Sequence, residues 1–200
     1  ELENNEDKDE NAITSGATTS PRILLVSHTN IAVDGVLKRL KARGFNDFAR
    51  IGFAPRIDKE IRTHQVESSL PPTDLPSVVG ATLSSCLRPE LAGFPFEIVL
   101  QDESSQIVEP ATFFCLSNFS TRLFLSVGDP KQLPPTIHHS NPAATPLSVP
   151  LFSRLARSKD FESGLCQEHA GKAHFMLRTQ YRCHPKIAAS CWSNELGNGS

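Results

Sequence analysis

The stretch Glu97-Ile-Val-Leu-Gln-Asp-Glu-Ser-Ser-Gln106 decides the fold class, because its apolar run stops abruptly at two adjacent carboxylates, Asp102 and Glu103. Strands buried on both faces of a parallel sheet read as near-continuous apolar runs. Open α/β sheets bind their ligands outside the carboxyl ends of such strands. The sequence therefore predicts a buried strand that delivers two acid groups to the carboxyl edge of a parallel sheet.

A second stretch repeats this pattern about twenty residues further on, in Arg122-Leu-Phe-Leu-Ser-Val-Gly-Asp-Pro-Lys-Gln-Leu-Pro-Pro135. Its apolar run ends in Gly128, Asp129 and Gln132. A glycine permits close approach of backbone, and prolines stiffen a turn. We therefore expect two strands to present polar tips to one site.

The rest of the chain alternates between strand and helix patterns, which predicts a three-layer α/β fold with a mostly parallel sheet. Residues 22–27 read as a buried strand and 31–43 as an amphipathic helix that Gly44 closes, which makes half of a βαβ unit. The other predicted strands are 48–52, 77–83 and 175–178, and the other predicted helices are 58–67, 109–116, 151–158 and 186–195.

Composition sets outer bounds. No apolar run approaches the roughly 20 residues of a membrane span, so no membrane partner is expected. Six of the 22 acidic residues and one of the 20 basic residues lie within residues 1–10, which leaves a net charge of +3 on the remainder. Taken alone, this charge favours an ordinary solvated surface over a polyanion-binding one. Five cysteines without a C-x-x-C pair favour reduced, intracellular thiols and argue against a zinc site.

Three groups of residues are candidates for chemistry: the acid pair, the loop 128–135, and the stretch 178–185. Nucleotide hydrolysis needs a carboxylate that holds Mg²⁺ and a second group that orients or deprotonates water, and Asp102 and Glu103 suit these two roles. In the stretch 178–185, Arg182 suits a γ-phosphate and Tyr181 suits stacking on a base. Solvent-facing acids, a surface arginine and a half-buried tyrosine remain the alternatives.

Four segments, in this order, resemble the motifs of superfamily 1 helicases: Ser27-His-Thr-Asn-Ile-Ala-Val-Asp34, Asp102-Glu-Ser-Ser-Gln106, Gly128-Asp-Pro-Lys-Gln-Leu-Pro-Pro135 and Gln180-Tyr-Arg-Cys-His-Pro185. The branch of the family is the one that contains the nonsense-mediated-decay helicase and senataxin. Within it, the residues of the four motifs are most similar to those of the GRF-zinc-finger DNA helicase. The resemblance implies a RecA-like P-loop NTPase domain, ATP as fuel, and 5′-to-3′ translocation on single-stranded nucleic acid.

The resemblance also implies a role for each matching residue. Asp102 would bind Mg²⁺, through water, and Glu103 would activate the attacking water. Gln132 would couple the γ-phosphate to the nucleic-acid groove, and Arg182 would contact that phosphate. The remaining assignments are nucleotide binding for Tyr181, Gly128, Asp129 and Gln106, and contacts to the nucleic-acid backbone for Thr29, Asn30 and Thr82.

The sequence departs from the family in three places. It contains no G-x-x-x-x-G-K-[ST] phosphate-binding loop, it stops before a second RecA-like domain, and Gln101 replaces the usual apolar residue before the acid pair. The polar composition of residues 1–20, almost free of large apolar side chains, predicts a disordered acidic tail. With the resemblance, we expect 21–196 to be a partial RecA-like domain and 197–200 a tail.

Two interpretations of function follow. The first is part of an ATP-dependent helicase, whose isolated chain we expect to be inactive without the phosphate-binding loop. The second is a catalytically inactive fragment that only binds nucleic acid or a protein partner. The sequence does not separate DNA from RNA, and it identifies no protein partner. The resemblance places the protein in the nucleus, in DNA repair.

Overall fold

The computed structural model describes residues 21–66, 75–88, 91, 93–137, 146–157, 175–177, 179, 181, 182, 184 and 187. The chain divides into two compact units, residues 1–153 and 154–200. The predicted tails 1–20 and 197–200 lie outside the described residues, and so does nearly all of the predicted helix 186–195.

The first unit is built on a five-stranded sheet in the order β2-β3-β1-β4-β5, in which every pairing is parallel. This confirms the predicted α/β fold with a parallel sheet. Each strand lies within a residue or two of its predicted position. The strands are β1 Ile23–Ser27, β2 Phe48–Ile51, β3 Val78–Thr82, β4 Ile98–Gln101 and β5 Leu123–Ser126.

Three α-helices are described: α1 Asn30–Ala42, α2 Glu109–Asn118 and α3 Leu151–Ala156. Thr29 caps the first of them, because its hydroxyl accepts a hydrogen bond from the Ala32 N–H at 3.2 Å. Gly44 follows its last turn with a φ of 86°, a left-handed conformation that glycine adopts without strain. None of the helices in the described ranges is both long and apolar enough to cross a membrane.

Two apolar clusters lie on the two faces of the sheet, because side chains alternate along each strand. Leu24 and Val26 of β1 join the cluster that contains Cys115 and Phe119, from α2 and the residue after it. Leu25, between them, joins the cluster that contains residues of α1. Helices therefore cover both faces, which confirms the predicted three-layer arrangement.

Two predicted elements are wrong. The segment 58–67 is a helix only in a 3₁₀ turn at Arg62–His64, because Asp58 and Gln65 form hydrogen bonds and a bridge with other segments instead. Of the predicted strand 175–178, the described residues 175–177 form no strand, and these three apolar side chains are at least 73% exposed. A short apolar run carries no periodicity that separates a strand from a loop.

Candidate functional site

The carboxyl edge of the sheet gathers most of the predicted site residues, because all five strands run in the same direction. β1 leads into Thr29 and Asn30, and β3 ends at Thr82, which is in register with Ser27. β4 leads into the acid pair, and β5 leads into the loop that begins at Val127.

The acid pair continues β4 by one more hydrogen bond and then turns sharply. The Asp102 N–H donates to the Val26 carbonyl at 2.9 Å, and the Glu103 N–H donates to Asp102 Oδ1 at 2.9 Å. Glu103 has φ 53° and ψ 41°, and no other non-glycine residue in the described part of the chain has a positive φ. This left-handed conformation costs about 1 kcal/mol for an L-residue. It redirects the chain so that both carboxylates stay partly exposed.

A 3₁₀ turn at Ser104–Gln106 follows and returns Gln106 toward Glu103. The Gln106 N–H donates to the Glu103 carbonyl at 3.0 Å, and Gln106 Nε2 lies 3.4 Å from Glu103 Oε2. The structure therefore brings together these two predicted site residues. Gln106 is placed to orient the Glu103 carboxylate.

The loop after β5 lies directly against the acid-pair loop. Val127 donates to the Gln101 carbonyl at 2.8 Å and accepts from the Ser104 N–H at 2.9 Å. A Cβ on Gly128 would lie 3.0 Å from the Ser105 nitrogen. Because Gly128 has no Cβ, its backbone can lie close to the backbone of the loop that carries Glu103.

Asp129 organises its own loop. Its Oδ1 accepts from the Lys131 N–H at 2.9 Å, and its Oδ2 accepts from Gln132 Nε2 at 3.1 Å. The Gln132 N–H also donates to the Asp129 carbonyl at 3.0 Å. The Gln132 side chain is exposed and held by Asp129, so the two residues form one polar unit in the loop that begins against the acid-pair loop.

The three predicted nucleic-acid contacts differ in accessibility. Thr29 is exposed, although its hydroxyl already caps α1, and Asn30 is partly exposed. Thr82 is only 5% exposed, and its hydroxyl lies 3.1 Å from Ser84 Oγ and 2.9 Å from Ser85 Oγ. Thr29 and Asn30 are therefore open to a ligand, whereas the Thr82 hydroxyl is engaged within its own turn.

The sequence prediction missed a buried ion pair beside Asn30. Arg50 Nε donates to Asp34 Oδ1 at 2.6 Å, and the two side chains are 0% and 6% exposed. Asp34 Oδ2 also accepts from the Asp58 N–H at 2.9 Å. The signal was present in the sequence, because each charged residue interrupts an apolar pattern, Asp34 in the helix and Arg50 in the strand.

Gln101 is the departure from the family pattern that packs inside the core. It is 2% exposed, and its Nε2 donates to the Thr112 hydroxyl of α2 at 3.1 Å. Its Oε1 has no hydrogen-bond partner among the described residues. Gln101 therefore ties β4 to α2 on the side of the sheet that α1 does not cover.

A Mg²⁺ ion fits the donor chemistry at Asp102. Mg²⁺ takes oxygen ligands and is usually held by one or two carboxylates together with waters and phosphates. Asp102 offers a partly exposed carboxylate at the strand end, one oxygen of which is oriented by the Glu103 N–H. Within the described ranges, no three His, Cys, Asp or Glu side chains form a cluster that could hold a metal ion by themselves.

Tyr181 and Arg182 belong to the second unit. Both are exposed, and Tyr181 is 92% exposed. Close to them in sequence, the Ile187 N–H donates to the His184 carbonyl at 2.9 Å. The roles of Tyr181 and Arg182 stay predictions.

A parallel sheet of this order, with an acid pair after one strand and a Gly-Asp-Pro-Lys-Gln loop packed against it, defines a RecA-like helicase domain, here in part. A family model described as an AAA domain matches residues 73–140. The chain belongs to the superfamily 1 helicases.

Three relatives support this assignment. The chain is 32% identical over 208 residues to the mouse 5'-3' DNA helicase ZGRF1, a match that covers 84% of this chain and 10% of the relative. It is 34% identical over 144 residues to the Arabidopsis thaliana DNA replication ATP-dependent helicase/nuclease JHS1, which covers 68% and 11%. It is 30% identical over 200 residues to the Arabidopsis thaliana probable helicase MAGATAMA 3, which covers 83% and 23%. The chain thus spans less than a quarter of each of these relatives.

Proposed function

We propose that this chain is part of an ATP-dependent helicase motor that couples ATP hydrolysis to translocation on single-stranded nucleic acid and to unwinding. The observation that carries the proposal is the contact between the acid-pair loop and the loop after β5. The hydrogen bond from Ser104 N–H to the Val127 carbonyl and the close approach at Gly128 join Glu103 to Gln132 through backbone. A change at one loop therefore displaces the other, which is what coupling requires.

In this proposal Glu103 accepts the proton of the water that attacks the γ-phosphate. Its backbone turn and Gln106 hold the carboxylate in one orientation. A general base must first be positioned within reach of the proton that it accepts. Asp102 would hold Mg²⁺ through water, and the ion would neutralise charge on the phosphates.

The remaining nucleotide contacts follow the same assignment. Gln132, held by Asp129, senses the γ-phosphate, and Gly128 lets the loop lie close to the acid pair. Arg182 contacts the γ-phosphate because a planar guanidinium matches phosphate oxygens, and Tyr181 lies against the adenine.

Thr29 and Asn30 mark the path of the nucleic-acid backbone across the carboxyl edge of the sheet, and Thr82 lies at the same edge with its hydroxyl held by Ser84 and Ser85. Contacts of this kind carry no base sequence information. Two relatives are named as a 5'-3' DNA helicase and a DNA replication ATP-dependent helicase/nuclease, which favours DNA over RNA as the substrate. The nuclear location and the role in DNA repair stay predictions from the resemblance.

The alternative function that the sequence leaves open is a chain that binds nucleic acid or a protein partner without hydrolysing ATP.

ATP turnover decides between the two functions. We expect a protein completed with a phosphate-binding loop and a second RecA-like domain to hydrolyse ATP in the presence of Mg²⁺ and single-stranded DNA if the motor assignment holds, and Glu103→Gln to lower that turnover about a hundredfold or more. Glu97→Gln is the matched control, because Glu97 precedes the same strand at the opposite edge of the sheet and its substitution should leave turnover unchanged.

Two other results separate the interpretations. Strand binding without ATP turnover by the completed protein would support the binding-only alternative. Turnover that is equal in Glu103→Gln and the unaltered chain would remove Glu103 from the mechanism.

A further inference from the structure

Arg50 is the largest fully buried side chain among the described residues, and it is bound on three sides. Nε donates to Asp34 Oδ1 at 2.6 Å, Nη1 to the Ile51 carbonyl at 2.6 Å, and Nη2 to Asn30 Oδ1 at 2.7 Å. A buried cation with this many partners is costly to place and costly to disturb. Nothing in the proposed ATP chemistry uses it.

The contact with Asn30 fixes the orientation of the Asn30 amide. A guanidinium only donates hydrogen bonds, so it can bind the carbonyl oxygen of the amide but not its NH₂ group. Asn30 Oδ1 must therefore face Arg50, and Nδ2 must face away from it. Asn30 is partly exposed, and its Nδ2 donates to no residue in the described part of the chain.

Asn30 lies at the carboxyl edge of the sheet, next to the exposed Thr29. An outward amide NH₂ at that place offers two donors and no acceptor, which suits a phosphate oxygen. The reverse orientation would present a carbonyl oxygen, which a phosphate oxygen repels. The buried contact thus decides which polar group the surface shows.

We propose that Arg50 is a positioning residue of the nucleic-acid contact: it holds Asn30 so that the amide NH₂ faces a backbone phosphate of the strand. This inference rests on the proposed function, because it assumes that nucleic acid crosses this edge. Asp34 holds Arg50 in turn, and the Asp58 N–H holds the second oxygen of Asp34 at 2.9 Å. Lysine does not substitute, because one ammonium cannot reproduce the planar fork that reaches Asp34 and Asn30 at once.

The isosteric substitution Asn30→Asp tests the orientation directly. The aspartate still accepts from Arg50, but it presents an oxygen where the NH₂ was. We expect fluorescence anisotropy with labelled oligothymidylate to show binding weakened about tenfold or more, the scale of a lost hydrogen bond to a charged group. Asn46→Asp is the matched control, because it adds the same charge where the amide only donates to the Gly44 carbonyl, and it should change the Kd less than about twofold.

A double-mutant cycle tests whether Arg50 acts through Asn30. Arg50→Lys should weaken binding about tenfold in the unaltered chain and by no further factor in an Asn30→Ala background. An equal loss in both backgrounds would overturn the proposal, because it would show a general structural effect. Asn30→Asp leaves Arg50 in place, so the first comparison decides the proposal even where Arg50→Lys does not fold.

The outcomes also separate this inference from the proposed function. If the unaltered chain does not bind single-stranded DNA or oligouridylate, both are overturned. If it binds and Asn30→Asp matches Asn46→Asp, the proposed function stands and the positioning role of Arg50 is wrong.

Discussion

Two ion-pair clusters lie one turn apart on α1, at Asp34 and at Lys38, and they differ in how far water reaches them. Arg50 and Asp34 meet at 2.6 Å with side chains 0% and 6% exposed. Lys38 meets Asp58 and Glu60 at 2.9 Å each, with side chains 33%, 35% and 68% exposed. Water competes for the second cluster and not for the first, so only the first fixes the positions of its members.

Asp58 belongs to both clusters, which makes the comparison sharper. Its N–H donates to the buried Asp34, while its carboxylate accepts from the exposed Lys38. The loop after β2 is therefore held to α1 from two sides. The contact that matters for the candidate site is the buried one, because it continues to Asn30.

The largest expected effect comes from Asp34→Ala. This change leaves the buried Arg50 guanidinium without its counter-charge, and breaking a buried pair in this way costs about 3–5 kcal/mol. Urea unfolding of the full chain measures the loss. A loss close to that of Lys38→Met would contradict the distinction between the two clusters.

The double variant Asp34→Leu with Arg50→Met sharpens the same point. Replacing a buried pair by apolar residues of similar volume is often neutral or stabilising. We therefore expect the double variant to recover most of the stability and none of the strand affinity. Recovered affinity would show that the pair has no positioning role.

Gly80→Ala comes next in size, because this glycine sets the distance between α1 and β3. A Cβ there would lie 2.8 Å from Leu37 Cδ1 and 2.9 Å from Val33 Cγ1, so these side chains or the helix that carries them must shift. Overpacking of this kind costs about 1–3 kcal/mol. Gly35→Ala is the control, since a Cβ at Gly35 meets nothing within 4 Å and alanine favours helix by about 1 kcal/mol. Thermal unfolding should move in opposite directions for the two variants.

A smaller effect, on stability in acid, is expected from the Asp58 carboxylate. The pKa of Asp58 lies below its ordinary value of 3.8, first because the Glu60 N–H donates to it and then because Lys38 pairs with it. Its contribution to stability is therefore present above pH 3.8 and is lost as the pH falls through the lowered value. The melting temperature of Asp58→Asn should fall less steeply in acid than that of the unaltered chain. Parallel curves would contradict this.

Lys38→Met should have the smallest effect. Glu60, and then Asp58, raise the pKa of Lys38 from its ordinary value of 10.5 to about 12. The pairing therefore contributes fully to folding stability below pH 10.5, and this contribution is lost as the pH rises through about 12. Because the pair is open to solvent, we expect little change in the melting temperature at neutral pH, and less in high salt. A large, salt-independent loss would show that exposure does not govern the two clusters.

The sequence predicted what depends on local pattern. The apolar runs that stop at Asp102 and at Gly128 predicted both strands. They also predicted the edge at which the two loops meet, because neighbouring parallel strands end at the same edge of the sheet. Arg50 could not be placed in this way, since its partners lie 16 and 20 residues away and only the folded sheet brings them together. The strand predicted at Phe175-Met-Leu177 was wrong because an apolar run forms a strand only where another strand pairs with it, and a local pattern does not show such a partner.

Glu103 has a consequence for how sequences at this position would respond to selection. Its left-handed backbone, with φ 53°, is one that glycine or asparagine would adopt with less strain. A library selected only for thermal stability should therefore drift away from glutamate at position 103. A library selected for turnover should keep it, so the identity of this residue would report which of the two pressures had acted.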